Sequence, residues 1–242
     1  MSRTAVVTGG TRGIGRACAQ RFYDMGYNVA MIYAHDDESA RTFARTLDEK
    51  SSLIVRADVA DVAAVWSAAG EIYAKFGGVD VLINNAGIAR QMMMNDITPA
   101  DWDRMFSVNV KGAFNCTKAF MDSMIHKKFG RIINISSMWG VTGASCEVHY
   151  SASKAALIGF TKALAKELGP SGITVNCIAP GLIDTDMNSS LEKEIIDELV
   201  AETPMMRIGT GDDVAAAAAY FASDGAGFVT GQVLGVNGGF VV

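Results

Sequence analysis

Two side chains with a potential for acid–base chemistry lie close together in the stretch HYSASKAAL, residues 149–157. Tyr150 and Lys154 are four residues apart, and such positions share one face of a helix. A free tyrosine has a pKa of about 10, and a neighbouring ammonium lowers it; a shift of roughly 3 units is worth about 4 kcal/mol. The pair therefore predicts a general acid that works near pH 7, although an amphipathic helix with an exposed lysine has the same spacing.

The composition limits the classes of protein to be considered. The 242 residues suit one α/β domain, and half of them are hydrophobic, which allows a sizeable core. The net charge of −5 argues against a nucleic-acid-binding surface. There is no apolar run of membrane-spanning length, no signal-peptide pattern and no metal-ligand spacing among the cysteines and histidines. We therefore expect a cytoplasmic protein with no metal, no membrane segment and no nucleic-acid partner.

Apolar runs alternate with segments long enough for helices along the whole chain. This pattern predicts a parallel sheet covered by helices on both faces, and right-handed crossovers make such a fold doubly wound. We predict a single-domain α/β Rossmann fold over residues 1–242, with a seven-stranded parallel sheet that binds its ligand at the carboxyl ends of the strands. The predicted strands are TAVVT 4–8, NVAMIY 28–33, SLIVRAD 52–58, VDVLINN 79–85, RIINIS 131–136, ITVNCIAP 173–180 and QVLGV 232–236.

A glycine-rich loop, VVTGGTRGIG, follows the first predicted strand. Its glycines, Gly9, Gly13 and Gly15, form a wider variant of the G-x-G-x-x-G pattern. Glycines there allow backbone to approach a pyrophosphate closely, and a helix from about Ile14 would direct its positive end at the phosphates. The strand before the loop and the helix after it favour a dinucleotide site over a plain turn. Asp58, at the end of the third predicted strand, is then a candidate contact for the adenine amino group, or alternatively a helix N-cap.

The end of the second predicted strand bears on the choice between NADPH and NADH. Enzymes that use NAD commonly place an acidic residue there to hold the ribose. Tyr33 and Ala34 occupy that position here, and acids follow only at Asp36 and Asp37. Arg12 in the glycine loop could face a 2′-phosphate, so NADPH is favoured. Contact of either aspartate with the ribose would reverse this preference to NAD.

These features together resemble the short-chain dehydrogenase/reductase family over nearly the whole chain. The resemblance depends on the order and spacing of the motifs rather than on any one of them. In particular, Tyr150 lies thirteen residues after Ser137, and Lys154 four residues after Tyr150. The motifs are TGGTRGIG 8–15, DV 58–59, NNAG 84–87, Asn109 in SVNVKG, NISS 134–137, YSASK 150–154, VNCIAPGLIDTDM 175–187 and VNGG 236–239.

The resemblance implies four catalytic residues. Tyr150 would give a proton to the substrate carbonyl oxygen, and Ser137 would hydrogen-bond the same oxygen. Lys154 would lower the pKa of Tyr150 and hold the nicotinamide ribose, while the cofactor supplies the hydride chemistry. Asn109 would help to hold a water chain that resupplies the proton. From the sequence alone, Ser137 could instead form a turn and Asn109 a polar position in the core.

The resemblance also implies which residues bind the cofactor and the substrate. The NNAG stretch would lie along the adenine ribose and the nicotinamide, and the Pro-Gly loop would hold the carboxamide unless it is a plain turn. The implied cofactor-binding residues are Gly9, Thr11, Arg12, Gly13, Ile14, Gly15, Tyr33, Asp58, Val59, Asn85, Ala86, Gly87, Tyr150, Lys154, Pro180, Gly181, Ile183 and Thr185. The implied substrate-binding residues are Ser137, Trp139 and Tyr150, under a lid at about residues 186–206.

Within the family, the chain most resembles bacterial reductases of 3-oxoacyl thioesters linked to acyl carrier protein or CoA. This implies NADPH-dependent reduction of a 3-oxo thioester to its 3-hydroxy form in fatty acid biosynthesis. One departure weakens the match: Lys128 and Ser171 stand where arginines often dock the carrier protein. A basic patch of Lys127, Lys128 and Arg131 would remain.

Other readings stay open. SSMWGVTGASCEVHYSASKAAL also resembles reductases of a 5-aminopentanone group attached to a lysine of elongation factor P. A reductase of a free ketone, steroid or sugar is a third reading. An inactive cofactor-binding subunit is a fourth, which the retained Tyr150 and Lys154 disfavour. His149 has no implied role beyond a substrate loop, and long helices at 101–127 and 149–168, which pair between subunits in this family, imply a homotetramer.

Overall fold

The computed structural model describes residues 2–186 and 192–242. Within these ranges the chain forms a parallel seven-stranded sheet in the order β3-β2-β1-β4-β5-β6-β7, which confirms the predicted doubly wound Rossmann fold. The strands are β1 (Thr4–Thr8), β2 (Asn28–Tyr33), β3 (Ser52–Arg56), β4 (Val81–Asn84), β5 (Gly130–Ile135), β6 (Ile173–Pro180) and β7 (Val233–Val236). The helices are α1 (Gly13–Asp24), α2 (Asp37–Ala44), α3 (Val62–Phe76), α4 (Pro99–Phe106), α5 (Gly112–Lys127), α6 (Trp139–Thr142), α7 (Val148–Leu168), α8 (Lys193–Glu202) and α9 (Gly211–Ala222).

The strands are continuous apolar runs because both faces of the sheet are buried. Successive residues of a strand point to opposite faces. Val6 belongs to the core that contains Phe120 of α5, whereas Val7 belongs to the core that contains Phe22 of α1. Burying a phenylalanine side chain fully stabilises the fold by about 1.5–3 kcal/mol. Helices are therefore required on both sides of the sheet.

Some element boundaries differ from those predicted. β3 ends at Arg56 rather than at Asp58, because the Asp58 carboxylate accepts a hydrogen bond from the Ala60 N–H (2.9 Å) and turns the chain towards α3. The helix predicted over 101–127 begins at Pro99, where Thr98 forms a capping box. It is also interrupted by a π-helical turn, Ser107–Lys111, between α4 and α5.

The strand order reverses beside β1, which pairs with β2 on one side and β4 on the other. The connections after β1 and β4 therefore leave in different directions and open a crevice at the carboxyl edge of the sheet. The hydroxyl of Thr8, at the end of β1, joins the two connections by accepting hydrogen bonds from the N–H groups of Asn85 and Ala86, both at 3.0 Å. This crevice is where ligands bind in folds of this kind.

Candidate active site

Two connected cavities occupy the carboxyl edge of the sheet. The first, which we call the reaction cleft, has a volume of about 540 Å³ and is lined by Ser137, Trp139, Tyr150 and Lys154. The second, the dinucleotide cavity, has a volume of about 410 Å³ and extends from the glycine loop to Asp58. The residues that line both are Ile14, Asn85, Gly87, Ala89 and Thr185. One extended ligand can therefore reach from the glycine loop to Tyr150.

Tyr150 lies in the first turn of α7, with its side chain in the reaction cleft. Only 9% of the residue is exposed, and this burial raises the pKa of the phenol to about 12. A hydrogen bond with Ser137 acts in the opposite direction, so these two side chains meet across the cleft. At neutral pH the phenolic oxygen of Tyr150 therefore carries its proton.

Lys154 lies one turn further along α7, and its ammonium is 5.6 Å from the centre of the Tyr150 ring. The side chain is buried and donates a hydrogen bond to the carbonyl of Ile135 (2.9 Å). Burial disfavours the charged form and lowers the pKa of Lys154 to about 8. In this arrangement burial dominates the pKa of both side chains, and a lowering of the Tyr150 pKa by Lys154 stays a prediction.

The two serines at the end of β5 have different surroundings. The Ser136 hydroxyl donates to the Lys154 carbonyl oxygen (2.8 Å) and so ties β5 to α7. The Ser137 hydroxyl accepts from the Trp139 N–H (3.2 Å) and contacts Tyr150. A side chain at Gly140 would place its Cβ 2.7 Å from the Ser136 hydroxyl, so only glycine lets α6 approach this closely. Both serines line the reaction cleft, but only Ser137 contacts Tyr150, so Ser137 stays the predicted catalytic serine.

Asn109 lies in the π-helical turn behind the reaction cleft. Its amide donates to the Ile88 carbonyl (3.0 Å) and to the Ser153 hydroxyl (2.9 Å), and its Oδ1 accepts from the Ile88 N–H (2.8 Å). A Cβ at Gly87 would lie 3.3 Å both from Asn109 Oδ1 and from Lys154 Nζ. Asn109 thus holds the loop after β4 against α7, and the π turn directs it inward, as such turns often do at functional sites.

The glycine loop has the shape that a pyrophosphate requires. Gly9 and Gly13 have φ values of +63° and +51°, which favour glycine. A Cβ at Gly15 would collide with the Gly9 carbonyl, while the Asn85 amide donates to that same carbonyl (3.2 Å). Arg12 precedes α1 and provides no side-chain cap, so the first N–H groups of this helix can bind an anion. The residues present therefore fit a dinucleotide.

One end of the dinucleotide cavity, lined by Arg12, Tyr33 and Asp36, is more exposed, and we call it the adenosine end. The Asp36 carboxylate accepts hydrogen bonds from the backbone N–H (2.9 Å) and the hydroxyl (2.7 Å) of Ser39, which lower its pKa. Arg12 Nη1 lies 4.0 Å from the same carboxylate. Asp37 accepts a hydrogen bond from the Tyr33 hydroxyl (3.0 Å). Both aspartates are thus engaged within the protein, and Arg12 lines the same cavity as Tyr33 and Asp36.

Most of the predicted cofactor and substrate residues line one of the two cavities. Gly15 and Asn109 do not, since they act from behind the walls. The prediction that His149 belongs to a substrate loop is wrong. His149 is fully buried on α7 and lines neither cavity. One member of the predicted basic patch is wrong: Arg131 is 5% exposed, with its guanidinium on the Phe129 ring. Lys127 and Lys128 are exposed, although Lys127 pairs with Asp80 (2.9 Å).

Several residues of the two cavities were missed from the sequence. Arg104 makes two contacts of 3.2 Å with Asp58, so the carboxylate proposed for adenine already has a cationic partner. Glu147 lines the reaction cleft, as do Ile195 and Leu199 of α8, which lie within the predicted lid at 186–206. Residues 187–191 of that lid lie outside the described residues. Among these residues, only Glu147 could have been found from the sequence, because a charged residue three positions before Tyr150 lies close to the predicted general acid.

Two negative findings concern residues 2–186 and 192–242. No helix in these ranges has both the length and the apolar character of a membrane span. The same ranges contain no group of three or more His, Cys, Asp or Glu side chains arranged to hold a metal ion.

Comparison with known proteins agrees with this geometry. A family model described as Enoyl-(Acyl carrier protein) reductase matches residues 9–241. The chain is 40% identical over 241 residues to a Staphylococcus aureus protein named 3-oxoacyl-[acyl-carrier-protein] reductase FabG, covering 99% of this chain and 98% of that protein. It is also 40% identical over 240 residues to an Acetoacetyl-CoA reductase of Shinella zoogloeoides, covering 99% and 98% of the two chains.

The fold similarity is equally extensive. A crystal structure described as a short-chain dehydrogenase/reductase, glucose/ribitol dehydrogenase, from Brucella melitensis superposes with a TM-score of 0.93 and 33% identity. The match covers 99% of this chain and 97% of that one. The chain therefore belongs to the short-chain dehydrogenase/reductase family and is an oxidoreductase of the ketone–alcohol class.

Proposed function

We propose that the protein reduces a ketone to a secondary alcohol with NADPH, and that the ketone is a 3-oxoacyl thioester linked to acyl carrier protein or CoA. The observation that carries the proposal is the meeting of Ser137, Tyr150 and Lys154 in a cleft continuous with the dinucleotide cavity. The names of the two relatives at 40% identity support the thioester.

The proposed mechanism assigns one task to each side chain. A bound nicotinamide dinucleotide would supply the hydride. Tyr150 is protonated at neutral pH and gives its proton to the carbonyl oxygen, which Ser137 also holds by a hydrogen bond. The phenolate left behind is stabilised by the nearby ammonium of Lys154. Asn109 positions Ile88 and Ser153 around these groups.

The preference for NADPH rests on Arg12. Its side chain is 62% exposed and lines the dinucleotide cavity. The nearby acids have other partners, because Asp36 binds Ser39 and Asp37 binds Tyr33. A 2′-phosphate would therefore meet an exposed guanidinium whose 4.0 Å contact with Asp36 is a weak, solvent-exposed ion pair, and a guanidinium suits phosphate recognition.

A second candidate is the reduction of a 5-aminopentanone group on elongation factor P. The observation that favours it is the position of the stretch that carries this resemblance. This stretch contributes several lining residues to the reaction cleft: Trp139, Ala144, Ser145 and Glu147. A substrate bound in the cleft would therefore lie against it.

The first test is a spectrophotometric assay of NADPH oxidation with acetoacetyl-CoA. We expect turnover with NADPH to exceed turnover with NADH, and Tyr150→Phe to lower kcat by about 10²–10⁴-fold, the usual contribution of a general acid. Tyr220→Phe is the matched control, since Tyr220 is 50% exposed on α9. Reduction of crotonyl-CoA in place of acetoacetyl-CoA would contradict the proposal, and so would full activity of Tyr150→Phe.

We also propose a homotetramer, supported by apolar side chains left exposed on the single chain. Phe114 of α5 is 48% exposed, and Phe228 and Val242 are fully exposed. Contiguous exposed apolar patches mark subunit contacts, and Phe114 lies on the long helix that the family resemblance pairs between subunits. Light scattering at micromolar protein should give four times the 25.6 kDa chain mass; a monomer mass would contradict the proposal.

A further inference from the structure

One wall of the reaction cleft is built from two segments that are joined to each other. The first segment follows β4 and the second precedes α7. Their residues that line the cleft are Ala89, Arg90, Gln91, Ala144, Ser145 and Glu147. The backbone N–H of Met92 donates to the Cys146 carbonyl (2.7 Å), and the Cys146 thiol donates a weak hydrogen bond to Met93 Sδ (3.4 Å). We call these two contacts, together with that between Gln91 and Glu147, the clasp.

The third contact of the clasp involves the carboxyl of Glu147. Burial raises the pKa of this carboxyl, and a side-chain hydrogen bond with Gln91 acts in the opposite direction. Its Oε2 atom has no hydrogen-bond partner among residues 2–186 and 192–242. An unpaired buried oxygen is costly, so the carboxyl depends on its hydrogen bond with Gln91 for compensation. Separation of the two segments would remove this compensation.

The clasp includes an unusual backbone conformation at Cys146. Its φ of +61° lies in the left-handed region, which suits glycine and costs other residues free energy. The other non-glycine residues with positive φ in the described ranges are Lys128 and Met206, and neither is adjacent in the chain to a residue that lines the cleft. Such conformations persist where the surrounding contacts hold them, and they are frequent at functional sites. At Cys146 the carbonyl that accepts from Met92 belongs to the strained residue itself.

We infer that Cys146 is a positioning residue, whose left-handed backbone holds the two segments together and so shapes this wall of the cleft for the substrate. The inference rests on the proposed reduction of a 3-oxoacyl thioester. The Ala144 N–H donates to the Ser151 hydroxyl (3.2 Å), which fixes the second segment to α7 beside Tyr150. The clasp then fixes the first segment to the second. Because Cys146 does not itself line the cleft, its effect falls on substrate binding rather than on proton transfer, that is, on KM rather than on kcat.

The test compares two substitutions at the same position. Cys146→Gly keeps the left-handed conformation at no steric cost, whereas Cys146→Val places a β-branched side chain there. Both remove the thiol, so a difference between them reports the backbone. Met92→Pro removes the N–H that the Cys146 carbonyl accepts, and it replaces Cys146→Val if that variant does not fold. Gly26→Val is the matched control, because Gly26 has a φ of +83°, has no atom within 4 Å of an added Cβ, and lines neither cavity.

Two measurements are made on each variant. NADPH oxidation with acetoacetyl-CoA gives kcat and KM, and hydrogen–deuterium exchange with mass spectrometry follows residues 88–96 without substrate. Cys146→Val and Met92→Pro should raise KM about fivefold or more and leave kcat within about twofold. Amides of residues 88–96 should exchange about fivefold faster or more in both variants. Cys146→Gly and Gly26→Val should stay within about twofold of wild type in KM and in this exchange.

Two results would overturn the inference. One is wild-type KM and wild-type exchange in Cys146→Val and Met92→Pro. The other is an equal rise in KM for Cys146→Gly and Cys146→Val, which would assign the effect to the thiol instead of the backbone. Failure of the proposed function would appear separately, as no NADPH oxidation with acetoacetyl-CoA by wild type, and the exchange of residues 88–96 would still test the clasp.

Discussion

The reaction cleft and the adenosine end of the dinucleotide cavity are built in different ways. In the cleft, Ser137, Tyr150 and Lys154 are each less than 10% exposed. At the adenosine end, the Arg12 side chain is 62% exposed and its carboxylate partner lies 4.0 Å away; the neighbouring pair of Arg56 and Asp37, outside the cavity wall, is similarly exposed, with a separation of 3.5 Å. Exposed ion pairs of this kind contribute about 0–1 kcal/mol to the free energy of unfolding. A buried charge without a partner changes that free energy by several kcal/mol. The catalytic side chains are therefore fixed by burial, whereas the side chains expected to select the cofactor are fixed only by weak, exposed ion pairs.

The largest expected change in the free energy of unfolding comes from Lys154→Met, which removes the buried charge of the reaction cleft. The folded-state pKa of Lys154, about 8, lies below its ordinary value of 10.5. Between pH 8 and pH 10.5 the lysine is protonated in the unfolded wild-type chain and neutral in the folded one. The free energy of unfolding of wild type therefore rises with pH over this range, while that of the variant, which has no such lysine, does not. The variant should be more stable at pH 7 by up to about 3 kcal/mol, and this advantage should disappear near pH 10.5.

Urea unfolding of wild type and Lys154→Met at several pH values from 7 to 10 checks this expectation. A difference in unfolding free energy that stays constant over this range would show that the buried ammonium carries no such cost.

The second effect concerns the glycine loop that joins the two regions. In Gly15→Ala, the new Cβ would occupy the place of the Gly9 carbonyl and would displace the Asn85 amide. Overpacking of this kind costs about 1–3 kcal/mol, and the displaced loop should bind NADPH at least tenfold more weakly, or about 1.4 kcal/mol. Urea unfolding and a fluorescence titration with NADPH measure the two losses.

Gly70→Ala is the matched control for this prediction. Gly70 lies within α3 and a Cβ there would meet no atom within 4 Å. Alanine should stabilise the helix by about 0.5–1 kcal/mol. Equal behaviour of the two variants would show that the loop has room for a side chain at Gly15.

The smallest effect is expected at the exposed adenosine end. Arg12→Ala should weaken NADPH binding by about tenfold, or about 1.4 kcal/mol, and leave NADH binding nearly unchanged, since only NADPH carries the 2′-phosphate. Arg45→Ala, at an exposed arginine that lines neither cavity, should change neither. Parallel titrations with both cofactors measure the ratio, and equal losses for NADPH and NADH would assign Arg12 to the phosphates that the two share.

The bounds of some strands could be predicted from the sequence more accurately than those of others. β1, β2 and β6 have the bounds expected from their apolar runs, because burial on both faces leaves little freedom in where such a run begins and ends. The third predicted strand was too long, because Asp58 forms a side-chain turn that hydrophobicity does not reveal.

In the candidate site, local spacing was informative and long-range contacts were not. The distance of four residues between Tyr150 and Lys154 indicated one helix face, and both side chains line the same cleft. The pair between Asp58 and Arg104 joins residues 46 positions apart. The burial of Arg131, which excludes this residue from the predicted basic patch, depends on its packing against Phe129. No periodicity in the chain encodes either contact.

The sequence by itself determined the doubly wound fold, the family and the order of the residues that meet in the cleft, because each depends on apolar periodicity or on spacing along one element. Only the tertiary structure decided the ionisation of Tyr150 and Lys154 and the lack of a protein partner for Glu147 Oε2 among the described residues. The physical reason is that pKa values and unpaired groups depend on desolvation, and desolvation is set by everything that packs around a group rather than by its neighbours in the chain.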